Sequence, residues 1–248
     1  MSNDVYTKGA EKMWKGEIDI LTDTIKVALI RQEYVLNLST HEFAADLVTA
    51  ACALATPGTV TGTGSGTGGT LAAATYYVKV TAIDSIGRET AASAESTGVT
   101  TTGSTSSIAY DWADVASAVS YRIYFATSSN GQANYFTSAT SSFTLTTTSG
   151  GTSGTPPGAP TTVTAIKSSV ALSGRTVTGR VFDANDPTFS AVAAGDTCEG
   201  VVIYKDTGVA ATSPLLFYID DITYFPATTT GADITVQWSN GAYKIASL

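Results

Sequence analysis

Residues 59–70 read TVTGTGSGTGGT, and residues 146–162 read TTTSGGTSGTPPGAPTT. Both runs are built from threonine, glycine, serine and proline, the residues of turns and connections. They divide the chain into three blocks, 1–54, 55–160 and 161–248. The outer two read as halves of one host domain, and the middle one reads as an inserted, all-β module. The strict Thr/Gly alternation of the first seam suits either an edge strand of the module or a flexible tether. Pro156-Pro157 stiffens the exit of the second.

Inside the seams the pattern has the two-residue period of strands. Over Thr75–Ile83 (TYYVKVTAI), Tyr76, Val78, Val80 and Ala82 share one face while Tyr77, Lys79 and Thr81 share the other. Ile108–Trp112 places Ile108, Tyr110 and Trp112 together, Tyr121–Phe125 does the same for Tyr121, Ile123 and Phe125, and Ser142–Leu145 adds a short strand. Short alternating runs, turn-rich spacers and one candidate buried tryptophan predict a β-sandwich.

Outside the seams, residues 4–15 predict a short helix. Asn3 or Asp4 is its expected cap, Val5, Met13 and Trp14 its apolar side, and Gly16 its stop. Ile18–Leu21 reads as a brief extended piece. Ile25–Ile30 reads as a central strand, apolar on both faces, and Thr40–Leu47 as one or two helical turns with Phe43 and Leu47 inward. After the second seam, strands are expected at Thr176–Val181, Gly200–Lys205, Leu215–Ile219 and Ile234–Trp238. Asn240-Gly241 is the expected hairpin turn to Tyr243–Ile245. The predicted fold is mainly β: a sandwich- or barrel-like host with a short N-terminal helix, plus the inserted sandwich.

The net charge is −8 with a pI near 4.5. Such a surface repels phosphate backbones and anionic lipid, which argues against nucleic acid and membrane as direct partners. No apolar run reaches the length of a membrane span, and residues 1–21 lack the pattern of a secretory signal. Cys52 and Cys198 sit in apolar stretches as small hydrophobes; both fall in the expected host domain, which leaves a bridge between them geometrically open.

No reactive constellation stands out. His41 is the single histidine, so a triad or an imidazole-based metal site has to use it, and its neighbours Thr40, Glu42 and Phe43 read as a capped turn. The acidic pairs Asp183/Asp186, Asp220/Asp221 and Asp111/Asp114 lie beside turn residues, where aspartate serves the backbone. The glycines of residues 62–69 lack the lysine and following helix of a phosphate loop. The expectation is a non-enzymatic protein without cofactor or metal. Tyr77, Tyr124 and Tyr135, on the presumed outer faces of the module, are the candidate surface-ligand contacts.

The pieces YTKGAEKMWKGEIDILTDTIKVALI, HEFAADL, LSGRTVTGRVFDANDPTFSAV, EGVVIYKDTGVAATSPLLFYID and ADITVQWSNGAYKIASL, in that order, resemble a family of small tailed-bacteriophage virion proteins over residues 1–52 and 163–248. In those chains the HEF-like turn runs straight into the LSGRTVT-like strand. The middle, GGTLAAATYYVKVTAIDSIGRETAAS and YDWADVASAVSYRIYFATS, looks like an immunoglobulin or fibronectin type III-like module, with its strand order permuted. The resemblance implies a virion structural protein, assembled in the host cytoplasm, within which capsid decoration is the favoured role. Its partners would be the major capsid protein or other virion proteins and further copies of itself, with host-surface glycans as candidate module ligands. Met13 and Trp14 are the candidate virion contact. A tail- or neck-associated adhesin is the alternative.

Overall fold

The computed structural model describes residues 3–241 and 244–247. The fold is mainly β, with one short N-terminal helix and several antiparallel sheets. Internal contacts separate two compact units, Met1–Ala50 with Thr164–Leu248, and Ala51–Val163. The junctions therefore lie before Leu54 and after Pro160, and Cys52 belongs to the second unit rather than to the host. Both cysteines are buried and free.

In chain order the first unit opens with β1 (Asn3–Val5), α1 (Thr7–Trp14) and β2 (Ile25–Arg31). The second unit holds β3 (Thr61–Ser65), β4 (Thr75–Ile83), β5 (Val99–Thr100), β6 (Ser107–Asp111), β7 (Ser120–Ala126), β8 (Asn134–Ser138), β9 (Ser142–Leu145) and β10 (Thr152–Ser153). The first unit resumes with β11 (Ile166–Ala171), β12 (Thr176–Thr178), β13 (Val181–Asp183), β14 (Thr188–Phe189) and β15 (Thr197–Lys205). It ends with β16 (Leu215–Ile219), β17 (Ala227–Thr228), β18 (Ile234–Thr235) and β19 (Ala246–Ser247).

The host core is a six-stranded sheet in the order β1-β16-β15-β2-β11, with β17 added to β15. Strand β2 precedes the insertion and its two neighbours follow it, so the sheet is completed only by residues from both sides. Both faces are covered, which explains the continuous apolar run of β2. Ile25, Val27 and Leu29 join Val201, Ile203, Phe182, Phe189 and Trp238 on one face. Ala28 and Ile30 join Tyr6, Tyr34, Leu47, Val202 and Tyr218 on the other. Each such buried aliphatic contributes about 1.5–3 kcal/mol.

Several expectations need correction here. Asn3 and Asp4 do not cap α1, because they are in β1 and paired with Ile219 and Tyr218; the ladder outcompetes the cap, and Tyr6 occupies the cap position with no side-chain bond to the first helical amides. Ile18–Leu21 is a turn organised by Asp19, whose Oδ1 accepts the amides of Leu21 at 2.9 Å and Thr22 at 3.3 Å. Thr176–Val181 is not one strand but a tight hairpin, β12 paired with β13. Its loop residues, Gly179 (φ 58°) and Arg180 (φ 74°), both take the left-handed backbone that a type I′ turn demands. The extended part of Ile234–Trp238 stops at Thr235 and pairs with β14, while β19 pairs with β13. Tyr243, in the expected hairpin, lies outside the described residues.

The second unit is a two-sheet sandwich: β10-β8-β7-β4-β5 and β3-β6-β9. Tyr76, Val78, Val80, Tyr121, Ile123 and Phe125 from the first sheet meet Ile108, Tyr110, Trp112 and Leu145 from the second. Trp112 packs edge-on against Tyr121 at 5.3 Å. Both seams belong to this fold. β3 is one edge strand of the three-stranded sheet and β10 an edge of the other. Beyond β10 the chain is still bound, with the carbonyl of Pro157 accepting the amide of Ala92 at 2.9 Å.

Candidate functional site

The two candidate contact residues on α1 part company. Gly9 is buried against β16, where a Cβ would fall 2.0 Å from the carbonyl oxygen of Leu215; this close approach seats the helix on the sheet. Met13, on the seated side, packs partly buried against the host core. Trp14, one residue on, is 82% exposed. Lys12 points sideways to Glu17 at 3.7 Å and Glu42 at 3.4 Å, and its ammonium lies 5.6 Å from the Phe43 ring centroid. So the surface offered by α1 is a bare indole flanked by charge, not a Met–Trp pair. Tyr224, 87% exposed, is the other largely bare aromatic among the described residues of the host. Its positive φ of 71° breaks the alternation that sequence reading depends on.

On the module, the three tyrosines do not form an exposed patch. Tyr124 does point to the outer face of its sheet, as the alternation requires, but that face is covered and the residue is only 2% exposed. Its hydroxyl donates to Glu89 Oε1 at 2.6 Å, and its ring lies 5.1 Å from that of Tyr135. Arg122 sits 4.7 Å over the Tyr135 ring and donates to Glu89 Oε2. Thr81 Oγ1 donates to Glu89 Oε1 at 2.5 Å. Residues of the second seam lie above: a Cβ on Gly154 would be 2.9 Å from the Tyr135 ring. Tyr77 is half-buried, with Gly98 seated on its ring. Tyr124, Tyr135, Arg122 and Thr81 form one network around the buried Glu89 carboxylate and cover this part of the outer face of the sheet.

Glu89 escaped the sequence reading, and so did the extended segment that follows it. From Thr90 to Ser96 the chain runs beside β4 with a three-residue period. Thr90, Ser93 and Ser96 are buried. Their hydroxyls accept the amides of Ala82, Val80 and Val78, each at 3.0 Å. Their own amides donate to the carbonyls of the same three residues at 3.0, 2.8 and 2.9 Å. A polyproline-like period of three puts every third residue on one side, and hydroxyls there complete the edge of a sheet that no regular strand covers. The signal was present as T-x-x-S-x-x-S.

His41 closes a hydrogen-bonded chain in the host. Its Nδ1 lies 2.7 Å from the Tyr34 hydroxyl, which lies 2.9 Å from that of Tyr6. Burial, with the charge of Asp46 adding to it and the Tyr6 hydroxyl opposing, pushes the Tyr34 phenol up to about 12. Tyr6 is raised further, first by burial and then by Tyr34. The chain therefore links two buried phenols and one imidazole through consecutive hydrogen bonds.

Three carboxylates of the acidic pairs serve the fold. Asp186 Oδ1 accepts the amide of Trp238 at 2.8 Å, Asp183 pairs with Lys244 at 3.6 Å, and Asp114 accepts the Tyr121 hydroxyl at 2.8 Å. A cleft of about 380 Å³ in the host has Asp186, Asp221, Gln237, Asn240 and Lys244 in its wall. Among the described residues no cluster of three or more His, Cys, Asp or Glu has the arrangement to hold a metal ion, and no helix is long and apolar enough to cross a membrane. Comparison with family models, curated proteins and solved structures gives no match.

Proposed function

We propose that this protein is a non-enzymatic structural component of a tailed-bacteriophage virion, acting as a capsid decoration protein that displays its inserted sandwich. The observation that carries the reading is the way the host sheet is assembled. β2 is flanked by β11 and β15 from beyond the insertion, and at the junction Val48 pairs with Thr164. A host closed at that point accepts a passenger without surrendering its own core, which is the economy expected of a particle-binding base with an optional outer module. The order of virion-like segments on either side of the insertion supplies the particle, and the bare Trp14 supplies an aromatic anchor of the kind that dominates interface energetics. Repetition on a capsid lattice multiplies a weak module–ligand contact through avidity.

The test is the copy number of the protein in purified virions, measured by quantitative mass spectrometry against the major capsid protein. Decoration requires on the order of hundreds of copies, in step with the capsid lattice. A count on the order of ten, the multiplicity of a neck or tail ring, overturns decoration in favour of the tail- or neck-associated adhesin. Failure to find the protein in the particle removes both.

A further inference from the structure

Two β-bulges meet at one end of β2. On β11 the pairing passes from Ile166 opposite Ile30 to Ser168 opposite Leu29, which leaves Lys167 out of register. On β15 it passes from Cys198 opposite Arg31 to Gly200 opposite Ile30. Bulges re-aim side chains and are enriched beside reactive sites. Here the first turns a lysine inward. Lys167 is 9% exposed at its side chain and Asp196 6%, and Lys167 Nζ donates to Asp196 Oδ2. Arg31 Nε lies 3.4 Å from the other oxygen, Oδ1. The backbone of Asp196 is held in place, since its amide donates to Thr229 Oγ1 at 3.0 Å and its carbonyl accepts the Thr229 amide at 2.9 Å. Glu33 and the buried Cys198 share this end of the sheet, as does Glu199, the residue the second bulge leaves out of register and whose carboxyl feels the charge of Glu33.

We propose that Lys167 and Asp196 condense to an intramolecular isopeptide bond, a covalent cross-link that passes over β2 and ties β11 to the segment entering β15.

The chemistry balances without a co-reactant. In the first step one proton passes from Nζ to Oδ2 along their hydrogen bond, giving a neutral amine beside a carboxylic acid. The Nζ lone pair attacks Cγ, and the negative charge that develops on Oδ1 meets the guanidinium of Arg31, a fixed cation in a site shielded from water. Collapse of the tetrahedral carbon breaks the Cγ–Oδ2 bond. Oδ2 leaves as water with its own proton and one from Nζ, and the product is a secondary amide. Nothing is oxidised or reduced. Fixing the two groups in contact supplies the effective concentration that such a condensation lacks in solution. The pair is separated by 29 residues, so the bond restricts a sizeable loop of the unfolded chain. It also pins β11, an edge strand of the host sheet.

Intact mass spectrometry of the full chain, unfolded in acid, reads the result. After allowance for the initiator methionine, the mass should fall short of the sequence by one water. Digestion should yield a branched peptide joining the segments around Lys167 and Asp196. The Lys167→Arg variant should return to its full sequence mass, and Asp196→Asn should fall short of its own by one ammonia. If either variant fails to fold, the branched peptide from the unaltered chain decides alone. A full sequence mass with Lys167 cleavable by trypsin overturns the proposal, as does a water lost elsewhere while Lys167 keeps a free amine.

Discussion

Ser93 and Val80 exchange two hydrogen bonds, one from each backbone amide: the Ser93 amide donates to the Val80 carbonyl at 2.8 Å, and the Val80 amide donates to the Ser93 hydroxyl at 3.0 Å. A side chain here stands where a neighbouring strand's carbonyl would be. Ser93→Ala removes the acceptor and leaves the Val80 amide buried and unpaired, at a cost of about 1–3 kcal/mol. Chemical denaturation of the intact chain, followed by a probe in the module such as Trp112, should show that loss. An unchanged midpoint would mean that water reaches the amide.

Tyr110 presents the opposite situation. Its ring is fully buried, yet its hydroxyl has no hydrogen-bond partner, and burial, with Tyr76 adding to it, raises the phenol's pKa. Tyr110→Phe deletes an unsatisfied polar atom while keeping the ring that packs against Gly62. The expected effect on module stability runs from neutral to a gain of about 1 kcal/mol. A loss of stability in urea titration would reveal a partner for the hydroxyl in solution.

Glu199 gives the host a pH dependence. Burial pushes its carboxyl from 4.5 up to about 7; the Tyr218 hydroxyl opposes this, and the charges of Asp220 and Glu33 reinforce it. Between these values the folded host binds a proton that the unfolded chain releases, so this group's contribution to stability is present in full below pH 4.5 and is lost as pH rises through about 7. One proton limits the slope to about 1.4 kcal/mol per pH unit, and partial solvation keeps it below that. Urea midpoints at mildly acidic and mildly alkaline pH should differ less for Glu199→Gln than for the unaltered protein. Equal differences would assign the dependence to other groups.

Excision tests the architecture. The Ala165 amide donates to the Leu47 carbonyl at 2.7 Å, and within the module the Cys52 amide donates to the Thr161 carbonyl at 2.9 Å. Each unit thus closes its own ends. Joining Ala50 to Thr164 through a short Gly-Ser linker should leave a host that unfolds cooperatively, with a calorimetric enthalpy in proportion to its length. Residues 51–163 made alone should behave likewise. A host without a cooperative transition would show that the two units depend on each other.

Gly9 tests how α1 is seated. Gly9→Ala drives a methyl group into the Leu215 carbonyl, and the helix has to lift. Although alanine favours helix by about 1 kcal/mol over glycine, the clash should win and the host should lose stability, read by thermal unfolding. A gain would mean that α1 is loosely held.

Where periodicity alone decided the outcome, the sequence was a good guide. β4, β9 and β16 occupy the expected spans, because alternating or continuous apolar runs leave one choice of buried face. The hairpin of β12 and β13 was hidden because Gly179-Arg180 carries no Asn-Gly or Asp-Gly signature. Asn3 and Asp4 make good caps, yet pairing with β16 took them into the sheet. Tyr124 was assigned the right face, but alternation does not reveal what lies over that face: the Glu89 network comes from β4's far neighbour, and Gly154 from the second seam. Lys167 was invisible for a similar reason, since a bulge reverses the side that alternation assigns. The candidate contacts reduce to Trp14, because only packing against β16 separates it from Met13.

Val48 and Thr164 form an antiparallel bridge, which holds their Cα atoms about 5 Å apart. That spacing makes the host a socket with a standard gauge. Any cassette whose first and last residues leave it side by side could be plugged in, and recombination could trade one passenger for another without renegotiating the base. The exchange point is the bridge and not the Thr/Gly-rich seams, which travel with the cargo as strands β3 and β10.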